Sequence, residues 1–159
     1  MEESEINRQL IIQFYEAFSN HDAEAMVNCY HEDIVFEDPA FGKLVGEEAK
    51  SMWKMLIKRA KGNLQINHKN VKADHERGSA EWTARYHYGP KKRKVENHIK
   101  AHFTFKDHKI WRHTDYFDIS KWSRMALGLP GVILGWTPFL QKKIRSGARK
   151  GLEQFMKRD

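Results

Sequence analysis

The chain has 159 residues, enough for one domain that buries roughly two thirds of the surface its unfolded form exposes. Its single cysteine, Cys29, excludes an internal disulfide, and the opening Met-Glu-Glu-Ser-Glu lacks the cationic end and apolar run of a secretory leader, so a soluble, cytoplasmic protein is expected. The net charge of +7 is local: Lys91, Lys92, Arg93 and Lys94 supply four charges, residues 140–159 a net +5, and everything else is −2, which argues against a specific nucleic-acid surface.

Ser4 is placed to cap a first helix in which Ile6, Leu10, Ile11, Phe14, Tyr15 and Phe18 form one stripe. Asp22 caps a shorter second helix with Met26, Val27 and Tyr30, and residues 33–38 read as a strand closed by Pro39. A loop around Gly42 and Gly46 leads to a third helix carrying Ala49, Met52, Trp53, Leu56, Ile57 and Ala60 on one face. From Leu64 the period changes to two, giving strands over 64–75, 79–89, 95–106 and 109–119 joined by hairpin turns, with a bulge near His68 to Asn70 where the apolar frame slips. This is an α+β domain, residues 1–119, with helices on one face of an antiparallel meander. Residues 120–159 form a helical extension packed on the domain or on a second subunit. In it Ser120 caps a helix through Ala126, a Gly/Pro-rich stretch follows, and 138–157 form an amphipathic helix. The apolar run Leu127 to Leu140 is too short to cross a bilayer, which takes about 20 residues. It reads instead as a lid.

The chemistry lies in two aromatic segments that contain carboxylates, Val35-Phe36-Glu37-Asp38-Pro39 and Trp111-Arg112-His113-Thr114-Asp115-Tyr116-Phe117-Asp118. A carboxyl between apolar walls has its charge disfavoured, which moves it toward the working range of an acid or base. Alternation puts Arg85 and His87 on one face of their strand and Trp111, His113 and Asp115 on one face of theirs. If both sets point inward, Asp115 is a base, His87 an acid, Arg85 their organiser, and Asp38 a second base or water holder. Phe14, Phe18, Phe36, Trp53, Phe103 and Trp111 would give an apolar cavity for a small molecule. Each residue has a plainer reading: Asp38 as a turn residue, Arg85 with Asp115 as a structural ion pair, His87 and His113 as core histidines, and Asp118 as a helix cap. The histidines lack metal-ligand spacing, so no metal is expected.

Three helices, a strand ending in Glu-Asp-Pro and a four-strand meander resemble the cone-shaped nuclear transport factor 2-like superfamily, over about residues 5–120. Phe14-Tyr15-Glu16-Ala17-Phe18 with Asp22 and Asp38-Pro39 resembles ketosteroid isomerases. Asp115-Tyr116-Phe117-Asp118 followed by Leu129-Pro130 resembles limonene epoxide hydrolases, and SnoaL-type polyketide cyclases share the fold. The isomerase resemblance makes Asp38 the general base, but Phe14 and Ala101 stand where that family has its oxyanion donors, so its mechanism is not implied. The hydrolase resemblance matches Arg85 and Asp115 to its bridging Arg and water-activating Asp, with His87 in place of the acid, and Asp38 and Phe36 in place of its Asn and Tyr. Together these imply a homodimer, paired through a sheet face bearing Tyr86, Tyr88 and Thr104. The chain would bind an apolar or polyketide-like small molecule and perform cofactor-free hydrolase, isomerase or cyclase chemistry. The alternative is a non-catalytic binding or interaction module, whose cavity would be filled by side chains. A membrane surface is the lesser alternative for the basic tail, whose apolar side is expected to pack on protein.

Overall fold

A computed structural model describes residues 2–158. The elements run α1 (Glu3–Ser19), α2 (Ala23–Asn28), β1 (Tyr30–Asp38), β2 (Gly42–Val45), α3 (Glu47–Ala60), β3 (Gln65–Ala73), β4 (Arg77–Tyr88), β5 (Arg93–Lys106), β6 (Lys109–Tyr116), α4 (Ile119–Leu127), α5 (Leu129–Leu134) and α6 (Pro138–Arg158). The α+β architecture is as expected. Six strands form one curved, unclosed sheet in the order β2-β1-β6-β5-β4-β3. The β3 to β6 meander is antiparallel, and β1 enters beside β6 in parallel, pairing Phe36 with His113 and Glu37 with Thr114.

The stripe of α1 buries Leu10, Ile11, Phe14, Tyr15 and Phe18 against the concave face, and α3 adds Met52 and Trp53. Glu47 and Glu48 at the start of α3, with Lys58 and Arg59 at its end, complement the helix dipole. Asp22 caps α2 through the Ala25 amide at 3.0 Å. The bulge falls between Lys69 and Lys72, where Asn70 has φ +55°.

Several expectations need correction. Glu2, not Ser4, precedes the first turn of α1, and Ser4 lies inside the helix. The loop at Gly42 contains β2, because Phe36 and Leu44 pair in register and bury their side chains on the same side. Ser120 lies inside α4 and does not cap it; the cap is Asp118, accepting from the Lys121 amide at 3.0 Å, in keeping with the plainer reading of that residue. The Gly/Pro stretch is not merely a break: Pro130 in the first turn starts α5, and Gly131 and Gly135 let its backbone approach α4 where a Cβ at Gly131 would overlap the Ser123 carbonyl. Among the described residues, no helix is long and apolar enough to cross a membrane.

Candidate active site

Between the sheet, α3 and the C-terminal helices lies a cavity of about 800 Å³. Its walls are mostly apolar, with Phe18, Met52, Trp53, Trp82, Ala84 and Ile99 deep in the fold and Leu127, Leu140 and Ile144 closing it from the C-terminal side. Two carboxylates reach this space, Asp38 and Asp115. They end up together for a reason visible in the register. Phe36 and His113 are paired and both wholly buried, so the residues two further along, Asp38 and Asp115, project from the same side of adjacent strands.

Asp115 is held by a buried chain of hydrogen bonds. Its Oδ1 lies 2.9 Å from His113 Nε2 and accepts from Trp82 Nε1 at 3.3 Å. On the other side of the imidazole, Tyr30 Oη is 2.7 Å from His113 Nδ1, and it accepts from Trp53 Nε1 at 2.8 Å. One proton assignment satisfies every member: Trp53 donates to Tyr30, Tyr30 donates to Nδ1, and Nε2–H donates to Asp115. The imidazole is neutral in this arrangement. Phe14, Phe36 and Phe103 surround it edge-on or tilted, with ring centroids 5.5, 5.1 and 4.5 Å away, and Trp53 stacks on it at 6.1 Å. Burial in this cage pushes the Tyr30 phenol well above its ordinary value, so it stays protonated and remains a donor.

Asp38 has a different environment. Its Oδ1 accepts from the Phe41 amide at 2.6 Å, closing the turn after β1. That bond favours the carboxylate, but burial and then the nearby Asp115 outweigh it, and the group is raised to about 7. The turn reading and the site reading of Asp38 are therefore compatible. The two carboxyls sit in environments that suit different roles: Asp115 receives two N–H donors, while Asp38 holds its proton to near neutrality.

The expected convergence of Arg85 with Asp115 does not occur. Arg85 projects from the opposite face of β4, where it pairs with Glu96 Oε1 at 3.0 Å and donates to Asn67 Oδ1 at 3.0 Å. The inward frame of β4 is Ala80, Trp82, Ala84 and Tyr86, so the group that meets Asp115 from this strand is a neutral indole N–H. His87 shares the outward frame of Arg85, yet near the strand end it reaches the cavity rim, where its Nδ1 lies 3.1 Å from Asn63 Oδ1. Trp111 also lies outside. The register slips between Thr104 and Phe105 opposite it, so Ile110 and His113 both turn inward and Trp111 instead packs beneath Lys106 and Arg112.

Of the other apolar candidates, Phe18 and Trp53 line the cavity, whereas Phe14, Phe36 and Phe103 form the buried layer behind it. Ala101 is buried opposite Asp115 on β5. Tyr86 and Tyr88 face inward, not outward: Tyr86 Oη accepts from Trp122 Nε1 at 2.7 Å, and Tyr88 meets the Trp122 ring edge at 5.3 Å. The dimer surface inferred from them is therefore misplaced. Sequence reasoning missed Tyr30, Trp82 and Trp122. Trp82 carried a usable signal, since Ala80-x-Trp82-x-Ala84-x-Tyr86 alternates as cleanly as the Arg85 frame.

Comparison with known proteins agrees with this architecture. Residues 11–113 match the SnoaL-like domain, and the chain belongs to that family. An LEH-like epoxide hydrolase of M. tuberculosis superposes with a TM-score of 0.62 at 23% identity, over 83% of this chain and 98% of that one. TerC, solved with polyporic acid, gives 0.66 at 16% identity over 76% and 97%. A protein of Xanthomonas campestris pv. campestris named as a candidate polyketide cyclase gives 0.64 at 19% over 78% and 98%. At these identities the likeness is one of fold. No curated protein matches the sequence.

Proposed function

We propose that the protein binds a mainly apolar small molecule in the cavity and acts on it by cofactor-free proton transfer between Asp115 and Asp38. The observation that carries this reading is the pair of carboxylates on adjacent strands in the wall of a cavity of about 800 Å³. Asp115 is the base, accepting a proton from the substrate or from an attacking water. Asp38, raised to about 7, is the acid that returns a proton to the oxygen on which charge develops. Trp82 and the His113–Tyr30–Trp53 chain orient Asp115, the place that sequence reasoning assigned to Arg85. Epoxide opening, isomerisation and cyclisation all need this pair of transfers, and solved structures of similar fold are named for an epoxide hydrolase and a polyketide cyclase. An open cavity also favours a ligand-binding protein over an interaction module whose interior is packed with side chains.

The test begins with native mass spectrometry and extraction of small molecules from the purified protein, followed by turnover of the compound found, or of apolar epoxides and polyketide-like ketones. Activity should fall as pH rises past about 7, as Asp38 loses its proton. A rate that instead rises through that range would make Asp38 the base and reverse the assignment.

A further inference from the structure

Between Leu127 and Leu140, which line the cavity, the chain turns outward. Leu129, Val132, Ile133, Trp136 and Phe139 are 70, 55, 57, 71 and 73% exposed, an unusual display of large apolar groups within eleven residues. The charge around them is of one sign. Between Ile119 and Leu152 the sequence has Lys121, Arg124, Lys142, Lys143, Arg145, Arg149 and Lys150 and not one Asp or Glu. Only Arg149 of these is in an ion pair, with Glu48, among the described residues.

Helical spacing explains how α6 serves two surfaces. Leu140, Ile144 and Ala148 recur at every fourth position and line the cavity. Arg145 and Arg149 point their guanidinium groups at carbonyls of the β1–β2 turn and β2, Pro39, Phe41 and Lys43. That leaves Phe139, Lys142, Ser146 and Lys150 on the remaining stripe, all exposed, and continuous along the chain with Trp136 and α5, while Lys143 stands at its border with the cavity wall.

From this juxtaposition the geometry points to an anionic lipid surface as the partner: α5 and the first turns of α6 lie on a bilayer, with Trp136, Phe139 and the α5 side chains in the interface and the lysines against lipid phosphates. An apolar edge beside a wholly cationic row is the composition of an interfacial helix. A second copy of this chain fits poorly, because a two-fold contact would set the same cationic row against itself with no acid to meet it. The two surfaces meet on α6, where Leu140, Ile144 and Ala148 line the cavity and Phe139 and Lys142 belong to the docked face.

The test is flotation with vesicles of phosphatidylcholine alone and of phosphatidylcholine mixed with phosphatidylglycerol, using the full chain. Binding is expected to the mixed vesicles and to weaken as salt is added. Trp136→Ser/Phe139→Ser should weaken it by about tenfold or more, and Lys142→Gln/Lys150→Gln by roughly tenfold, with unchanged thermal melting because all four side chains are exposed and none lines the cavity. Absence of binding to the mixed vesicles, or binding indifferent to the aromatic double variant, would overturn the proposal. So would a dimer in sedimentation equilibrium that the aromatic variant dissociates. Retention of the cavity ligand by these variants separates this result from the fate of the proposed chemistry.

Discussion

Asp115 and Arg85 distinguish the inward from the outward frame of the sheet by one substitution each. Asp115→Asn keeps an oxygen to accept from Trp82 and His113 but removes the base, so turnover should drop by about 10²–10⁴-fold with ligand binding retained. Arg85→Ala should leave turnover nearly unchanged, since it deletes a half-exposed pair with Glu96 on the far face. Steady-state kinetics of the two variants side by side decides the matter; equal losses would return Arg85 to the site. Tyr30→Phe probes the buried chain differently. It strands Trp53 Nε1 and His113 Nδ1 without partners, for which about 1–3 kcal/mol each is the general cost. Denaturant melts should show that loss, with a fall in kcat that exceeds any change in KM if the chain orients Asp115.

At the scale of elements, the sequence was most readable where periodicity was strong. The apolar stripes of α1 and α3, the Asp22 cap and the bulge near Asn70 follow from local pattern alone. What local pattern could not supply was the phase of β4. Ala80, Trp82 and Ala84 compete with Arg85 and His87 for the inward side, and only the pairing of β4 with β5, and β5 with β6, fixes which set meets Asp115. The parallel entry of β1 beside β6 is equally non-local, so the meeting of Asp38 with Asp115 could be hoped for but not located. The 127–140 stretch shows the reverse case, a Gly/Pro run read as broken helix because its reason for glycine is tertiary. Gly131→Ala should drive α5 away from the Ser123 carbonyl, destabilising the α4–α5 packing by about 1–3 kcal/mol. Hydrogen exchange of 119–140 should speed up while that of β4 and β5 stays unchanged; uniform slowing or no change would contradict the packing described.

For the whole molecule, the cost of keeping an acid in an apolar wall appears as a dependence of stability on pH. Asp38 has its proton affinity raised on folding, from an ordinary carboxyl near 3.8 to about 7. The folded state therefore holds the proton more tightly than the unfolded chain, and stability rises wherever that proton is bound. The contribution is fully present below about pH 4, is lost progressively as pH rises through about 7, and is flat above it. Within the window each pH unit is worth at most about 1.4 kcal/mol. Asp38→Asn cannot ionise and should flatten the profile between pH 4 and 7 relative to the wild type, making the variant comparatively more stable at pH 8. Urea unfolding of both proteins across pH 4 to 8 measures this directly. Parallel profiles would mean that Asp38 ionises as freely in the fold as in water, and the same result would remove the acid from the proposed chemistry.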